Sequence, residues 1–135
     1  MSEHLIRSAF ESRLATWAAS QGYPVAWENV ELVPQPAGAY MRAFLLPADT
    51  FSDDLTRAHA VYRGIFQVSL CMPVGTGPAA AESIVAALRA LFPASTPLTS
   101  GTMLIYITDP LSRGPGIAEP DRYVVPCSLP YRADT

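Results

Sequence analysis

Apolar residues recur at spacings of three and four through the first part of the chain. The members of this set are Leu5, Ile6, Ala9, Phe10, Leu14, Trp17 and Ala18. Such spacing predicts an amphipathic helix over residues 2–20, with Ser2 as its cap. Gly22 and Pro24 supply its end, because glycine accepts a left-handed turn and proline cannot continue a helix.

The rest of the chain is predicted to form one further helix and several short apolar strands, which turn residues separate. Strands are predicted over residues 25–30, 40–46, 61–72, 102–108 and 122–131. The second helix begins at Pro78 and ends before Pro93, and its buried stripe is Ile84, Val85, Leu88, Leu91 and Phe92. The order α-β-β-β-α-β-β predicts an α+β fold with a largely antiparallel or mixed sheet of about five strands and two packed helices.

The strand over residues 61–72 has one clearly apolar face. Alternation places Tyr62, Gly64, Phe66, Val68, Leu70 and Met72 on that face. The opposite face receives Arg63, Ile65, Gln67, Ser69 and Cys71.

Two prolines in the last strand share the same parity. Residues of one parity in an antiparallel strand direct both N–H and C=O to the same side, so Pro126 and Pro130 remove two donors from one side of this strand. We therefore predict that residues 122–131 pair on one side only and form an edge strand.

Two segments between the predicted strands are long. Residues 48–60 are polar at their centre and lack a clean period, and residues 110–120 are rich in glycine and proline. We predict flexible loops over both segments. Loops of this length in a compact domain commonly carry function.

Composition predicts a single domain over residues 1–135. Half of the residues are hydrophobic, which is enough for a self-supporting core. The net charge is −3 and the nine basic residues, all arginine, are scattered along the chain, so we predict no nucleic-acid binding. The N-terminus lacks the features of a signal peptide and no apolar run is long enough to span a membrane. These features predict a cytoplasmic protein without membrane contact.

No group of residues fills the roles of an active site. His4 and His59 have no acid or thiol at metal-ligand spacing. Cys71 and Cys127 lie in separate apolar segments and are predicted to be buried thiols. We therefore predict that the protein is not an enzyme and has no catalytic, metal or cofactor-binding residues.

The turn over residues 75–78 enters the second helix as a phosphate-binding loop does. It lacks the lysine and the third glycine of such loops, and Pro78 removes one of the required donors. A plain strand-to-helix turn is the favoured interpretation. A small-molecule-binding domain or enzyme that uses this turn is the alternative from another functional class.

Four of the strand segments carry a resemblance to a known family. They are residues 25–30, 40–47, 62–68, and 122–126 together with 129–131. In this order, and with Gly75, Thr76 and Gly77 before the second helix, they resemble the phage tail terminator-like proteins. These are relatives of the minor tail protein that ends tail growth in long-tailed, non-contractile phages. The resemblance covers nearly the whole chain.

The resemblance implies a structural virion protein without cofactors, encoded by a phage or prophage. It implies a homo-oligomeric ring, a hexamer, that caps the tail tube, ends tail polymerisation and prepares the head–tail junction. The implied partners are other copies of the chain, the tail tube protein and a head-completion protein. The implied location is the virion tail, after assembly in the host cytoplasm. Another head–tail joining subunit is the alternative within this class.

Five residues are our candidates for subunit or tube contacts. Arg42 lies on the second predicted strand, and Phe51, Asp53, Asp54 and Arg57 lie in the loop over residues 48–60. We single out Phe51 because it is an aromatic residue in a polar loop, and such a position does not imply that its side chain is buried within one subunit. We expect this loop to become ordered on assembly.

Overall fold

A computed structural model of the chain describes residues 2–30, 38–48, 61–75, 78–94, 96–101 and 103–134. In chain order its elements are α1 (Ser2–Gln21), β1 (Val25–Ala26), β2 (Tyr40–Pro47), β3 (Val61–Pro73), α2 (Pro78–Leu91), β4 (Leu98–Ser100), β5 (Met103–Ile107), β6 (Ser112–Arg113), β7 (Ile117–Glu119) and β8 (Arg122–Asp134). The predicted α+β class is confirmed.

The strands of the described residues form one mixed sheet. Its main order is β1-β2-β3-β8-β5-β4, and β6 and β7 also pair with β8. β1 is parallel to β2, whereas β2, β3, β8, β5 and β4 follow one another antiparallel. β3 and β8 are 13 residues long and pair along their full length, so they form the spine of the sheet.

Both helices pack on the same face of this sheet. Ile6, Phe10 and Leu14 of α1 are fully buried, and the Phe10 ring stacks on Phe66 of β3 with 4.7 Å between centroids. Phe92, just after α2, closes the cluster at 5.7 Å from Phe66. The apolar stripes predicted for the two helices therefore form the core, as do the even-numbered residues from 66 to 72 on β3.

The prediction that the last strand is an edge strand is wrong. β8 pairs with β3 on one side and with β5, β6 and β7 on the other. The two prolines nevertheless direct their backbone groups to the same side of β8, as their shared parity predicts. The carbonyl groups of Pro126 and Pro130 both point away from β3, where they accept hydrogen bonds from Gly114 N–H at 2.8 Å and Thr108 N–H at 3.1 Å.

The second side of β8 is paired in three separate pieces. β5 pairs with residues 131–134, β6 with residues 127–128 and β7 with residues 122–124. Pro130 and Pro126 fall in the two intervals between these pieces. A proline without an N–H is tolerated in this central strand because its missing donors coincide with the breaks between partners.

Other boundaries differ from the sequence prediction. β1 is two residues long because the chain turns after Ala26, where Asn29 has a positive φ of 63° and Val30 N–H donates to Trp27 O. β4 was not predicted, and β6 and β7 lie inside the segment 110–120 that was predicted to be a loop. The predicted loop 48–60 lies outside the described residues beyond Ala48.

The outer edge of β2 is closed by a backbone carbonyl and a carboxylate. Met41 N–H donates to Pro24 O at 3.0 Å, and further along Leu45 N–H donates to Glu28 Oε1 at 3.0 Å. Arg7 Nη1 of α1 lies 3.2 Å from the same Glu28 oxygen and forms an ion pair with it. Glu28 therefore occupies the position that a longer β1 would fill, and it protects this edge from pairing with another chain.

We predict that Glu28→Ala lowers the free energy of unfolding by about 1 kcal/mol at neutral pH, since it removes the acceptor of Leu45 N–H and the partner of Arg7. The hydrogen bond from Leu45 N–H is the main cause that lowers the pKa of Glu28 below its ordinary value of 4.5. A lowered folded-state pKa stabilises the fold above that ordinary value, and the contribution is lost as the pH falls through the folded-state pKa.

Urea unfolding of both proteins at neutral pH and at about pH 3 measures this effect. The difference between wild type and Glu28→Ala should shrink at the lower pH. Glu28→Gln is the matched control, because its amide oxygen still accepts from Leu45 N–H while the charge is gone. An equal difference at the two pH values would contradict the assignment.

Candidate assembly surface

The sheet face opposite the helices presents apolar side chains to solvent. Seven large apolar side chains are exposed among the described residues, and five of them lie on this face. Those five are Leu46 at 46%, Ile65 at 41%, Leu104 at 41%, Tyr106 at 47% and Ile117 at 52% exposure. Val30 and Val74, the other two, lie outside the strands. The concentration of exposed apolar side chains on one face makes it the candidate surface for contact with another molecule.

Strand register brings most of these side chains side by side. Leu46 is the partner of Ile65, and Ile65 is the partner of Pro130. Two residues further along β8, Arg132 is the partner of Tyr106. Directly opposed residues of neighbouring strands stand about 5 Å apart and diagonal neighbours about 7–8 Å, so Leu46, Ile65 and Pro130 form a row and Tyr106 is the diagonal neighbour of Pro130. Below, the term apolar strip denotes Leu46, Ile65, Pro130, Tyr106 and Leu104.

Arginines flank the apolar strip on the same face. Arg63 and Arg132 are direct partners in the β3–β8 ladder, next to Ile65 and Pro130. An open groove of about 440 Å³ runs past this end of the strip and is lined by Arg63, Ile65, Pro130 and Arg132 among others. The surface therefore combines apolar area with positive charge, a combination common in protein interfaces.

Arg42 is the predicted contact residue that falls within the described part of the chain. Its side chain is 35% exposed and its Nη2 lies 3.7 Å from Glu119 Oε1. The same nitrogen donates to Tyr40 Oη at 3.2 Å. Arg42 thus stands at the far end of the helix-free face, half exposed and positioned by two neighbours. The other predicted contact residues, Phe51, Asp53, Asp54 and Arg57, lie outside the described residues.

A small second core lies beneath Arg42. Tyr40, Cys71 and Val124 form it, on neighbouring strands. Arg122 covers the Tyr40 ring with its guanidinium carbon 5.1 Å from the ring centroid, and its Nη1 donates to Gly38 O at 2.8 Å. This corner of the face is therefore covered by polar groups.

The turn at Gly75 borders an open groove of about 540 Å³. Gly75 has a positive φ of 92°, as expected for a tight turn into a helix. The charged groups along the groove are Glu119 and Arg122, and both already contact Arg42 or Gly38. Thr76 and Gly77 of the predicted turn lie outside the described residues.

The two cysteines are buried on opposite faces of the sheet and are not disulfide-bonded. Burial raises the pKa of the Cys71 thiol and raises that of Cys127 to about 11. Both thiols are therefore protonated near neutral pH and poor nucleophiles. The predicted buried thiols are confirmed.

Within the described ranges, no three His, Cys, Asp or Glu side chains are grouped so that they could hold a metal ion. No helix in the same ranges is both long and apolar enough to cross a membrane.

Comparison with known proteins agrees with this architecture. The sequence pattern of a family described as phage tail terminator protein matches residues 5–131. The chain belongs to this family. The family is structural, so the chain is a component of the phage tail that works together with other tail proteins.

A protein of known structure has the same fold. It is 42% identical in sequence, the match covers 98% of this chain and 96% of that chain, and the TM-score is 0.84. No curated protein matches this chain with significant similarity.

Sequence reasoning missed the apolar strip. Its signal is present in β5, where exposed Leu104 and Tyr106 alternate with buried Met103, Ile105 and Ile107. A strand that is apolar at both parities has two apolar faces, and only one of them can face the helices.

We predict that neither thiol of the folded protein reacts with iodoacetamide at about pH 8, because burial raises both pKa values and leaves little thiolate. In urea both should react within the same time. Mass spectrometry counts the modified residues, and Cys71→Ser and Cys127→Ser assign them. Rapid modification of the native protein at either position would contradict the burial of that thiol.

Proposed function

We propose that this subunit closes into a hexameric ring on the end of the tail tube. The ring stops further tube subunits from adding and prepares the surface to which the head joins. Membership of the tail terminator family supports the terminating role. The apolar strip is the observation that supports a ring. A closed ring requires a patch on each subunit that meets a different patch on the next subunit.

The partners we propose are other copies of the chain, the tail tube protein and a head-completion protein, in the virion tail. Arg42 and the loop residues Phe51, Asp53, Asp54 and Arg57 are proposed contacts on sequence grounds. Arg42 also has the exposure that such a role requires. Arginine and aromatic side chains are enriched at the centres of protein interfaces.

A capping assay tests the proposal directly. The tail tube protein is polymerised with and without the purified subunit, and tube lengths are measured in negative-stain images. We expect shorter tubes that carry a ring at one end, since a capped end no longer accepts subunits. Light scattering should give about six subunits for any ring that forms in solution. Tubes that grow to full length with bare ends would refute the capping function.

Deletion of residues 50–57 tests the proposed loop contacts. We expect the melting temperature to stay nearly unchanged and capping to be lost, because these residues are proposed to contact other proteins and not the core. Arg42→Gln is a second variant from the described residues, and it should also weaken capping with little effect on stability. Val74→Glu is the control, an exposed position off the sheet. Collapse of the fold on deletion would assign the segment to the core instead.

A further inference from the structure

An open groove of about 740 Å³ lies where the second side of β8 is interrupted between β5 and β6. It is lined by residues 109–113, by Arg89 of α2 and by Pro130 of β8. We propose that this groove, below called the arginine groove, is a binding site for a carboxylate group. The inference is independent of the proposed ring.

The sheet holds Arg113 in place at the arginine groove. Arg113 is the ladder partner of Cys127 in the β6–β8 pairing, and its Nη2 donates to Tyr123 Oη at 3.4 Å. The Tyr123 ring packs so closely on Gly116 that a side chain at position 116 would collide with it. Arg113 Nε is buried and has no hydrogen-bond partner. Leaving a buried donor of a charged group unpaired is costly, so this N–H calls for an acceptor that binds in the groove.

Arg89 supplies a second positive charge from the last turn of α2. Its Nε donates to Leu111 O at 3.0 Å, which fixes the side chain beside the groove. A guanidinium carries five N–H groups, and this bond uses one of them. Within the described part of the chain Arg89 has no other hydrogen bond and no ion pair. Its remaining donors are available to a ligand.

Neither arginine of the groove has a counter-ion among the described residues. The ion pairs found there involve Arg7 and Arg42, and Asp109 lines the groove without pairing with either guanidinium. Both guanidinium charges lower the pKa of the Cys127 thiol, against the larger effect of burial, so both lie near the same point. Because that pKa is still raised to about 11, the thiol stays protonated at neutral pH and does not serve as the counter-ion.

The groove fits a carboxylate in donor geometry and in charge. A guanidinium presents parallel N–H donors that match the two oxygens of a carboxylate. Two arginines and one aspartate leave the lining with a net charge of +1, since its other residues are uncharged. A singly charged carboxylate neutralises this lining. A phosphate group, with a charge of about −1.5 to −2 near neutral pH, would leave negative charge in excess.

An NMR titration of the full chain at neutral pH tests the site. Sodium acetate replaces sodium chloride at constant ionic strength, and the arginine Nε–H signals are followed in proton–nitrogen correlation spectra. Arg89→Gln and Arg113→Gln are the site variants, and in each the signal of the other arginine is followed. Arg13→Gln is the matched control. Arg13 also lies on a helix and donates to a backbone carbonyl, Leu91 O at 2.9 Å, but it does not line the groove.

We expect the Arg113 Nε–H signal of wild type to follow a saturable curve, with half-saturation at about 1–10 mM acetate. Arg13→Gln should bind acetate as wild type does. Each site variant should bind about tenfold more weakly, because it loses a hydrogen bond to a charged group. Melting curves in chloride alone verify that the variants fold, and Arg89→Gln carries the test if Arg113→Gln does not. A linear drift common to all arginine signals, or unchanged binding in Arg89→Gln, would overturn the proposal.

Two further probes define the ligand. Inorganic phosphate should bind more weakly than acetate because of the net charge of the lining, and tighter binding of phosphate would overturn the carboxylate assignment. A capped tripeptide with glutamate between two glycines distinguishes the two sources of a carboxylate. Tighter binding of the peptide than of acetate assigns the groove to an acidic side chain of another protein. Equal or weaker binding assigns it to a small organic acid.

Discussion

The continuous ladder between β3 and β8 is the constraint on which the rest of this structure depends. Thirteen residues of each strand pair without interruption, which fixes the register and hence the face of every side chain on both strands. On one face Phe66 and Tyr131 meet Phe10 of α1 and complete the core. On the other face the same register aligns Ile65 with Pro130 in the apolar strip. Core and proposed interface are two consequences of one pairing.

The two prolines of β8 show how a local rule acts within a larger sheet. Pro126 and Pro130 cannot donate on the side away from β3, so a long continuous partner on that side would leave two acceptors unpaired. The chain instead supplies three short partners, with breaks at the prolines. The break at Pro130 lies between two open grooves, one of about 740 Å³ and one of about 440 Å³, and Pro130 lines both.

These features explain what sequence could and could not predict. The helices and the strands β2, β3 and β8 were predictable because each is long enough to show a period. β4, β6 and β7 have two or three residues each, too few to show one. The edge prediction for β8 failed because parity reveals which side lacks donors, but not that several short strands can share this side. Arg42 could be selected by residue type, whereas the apolar strip depends on register between strands that are distant in sequence.

Both helices pack on one face of the sheet, so the second face requires a separate explanation. The aromatic core and the buried stripes of both helices lie on the first face, so the fold does not depend on burying Leu46, Ile65 or Tyr106. Side chains that stability does not require are free to be selected for contact with another molecule. An apolar strip flanked by arginines would be a liability for a protein that stays monomeric. On a component of the phage tail, which works together with other tail proteins, we propose that assembly covers this strip.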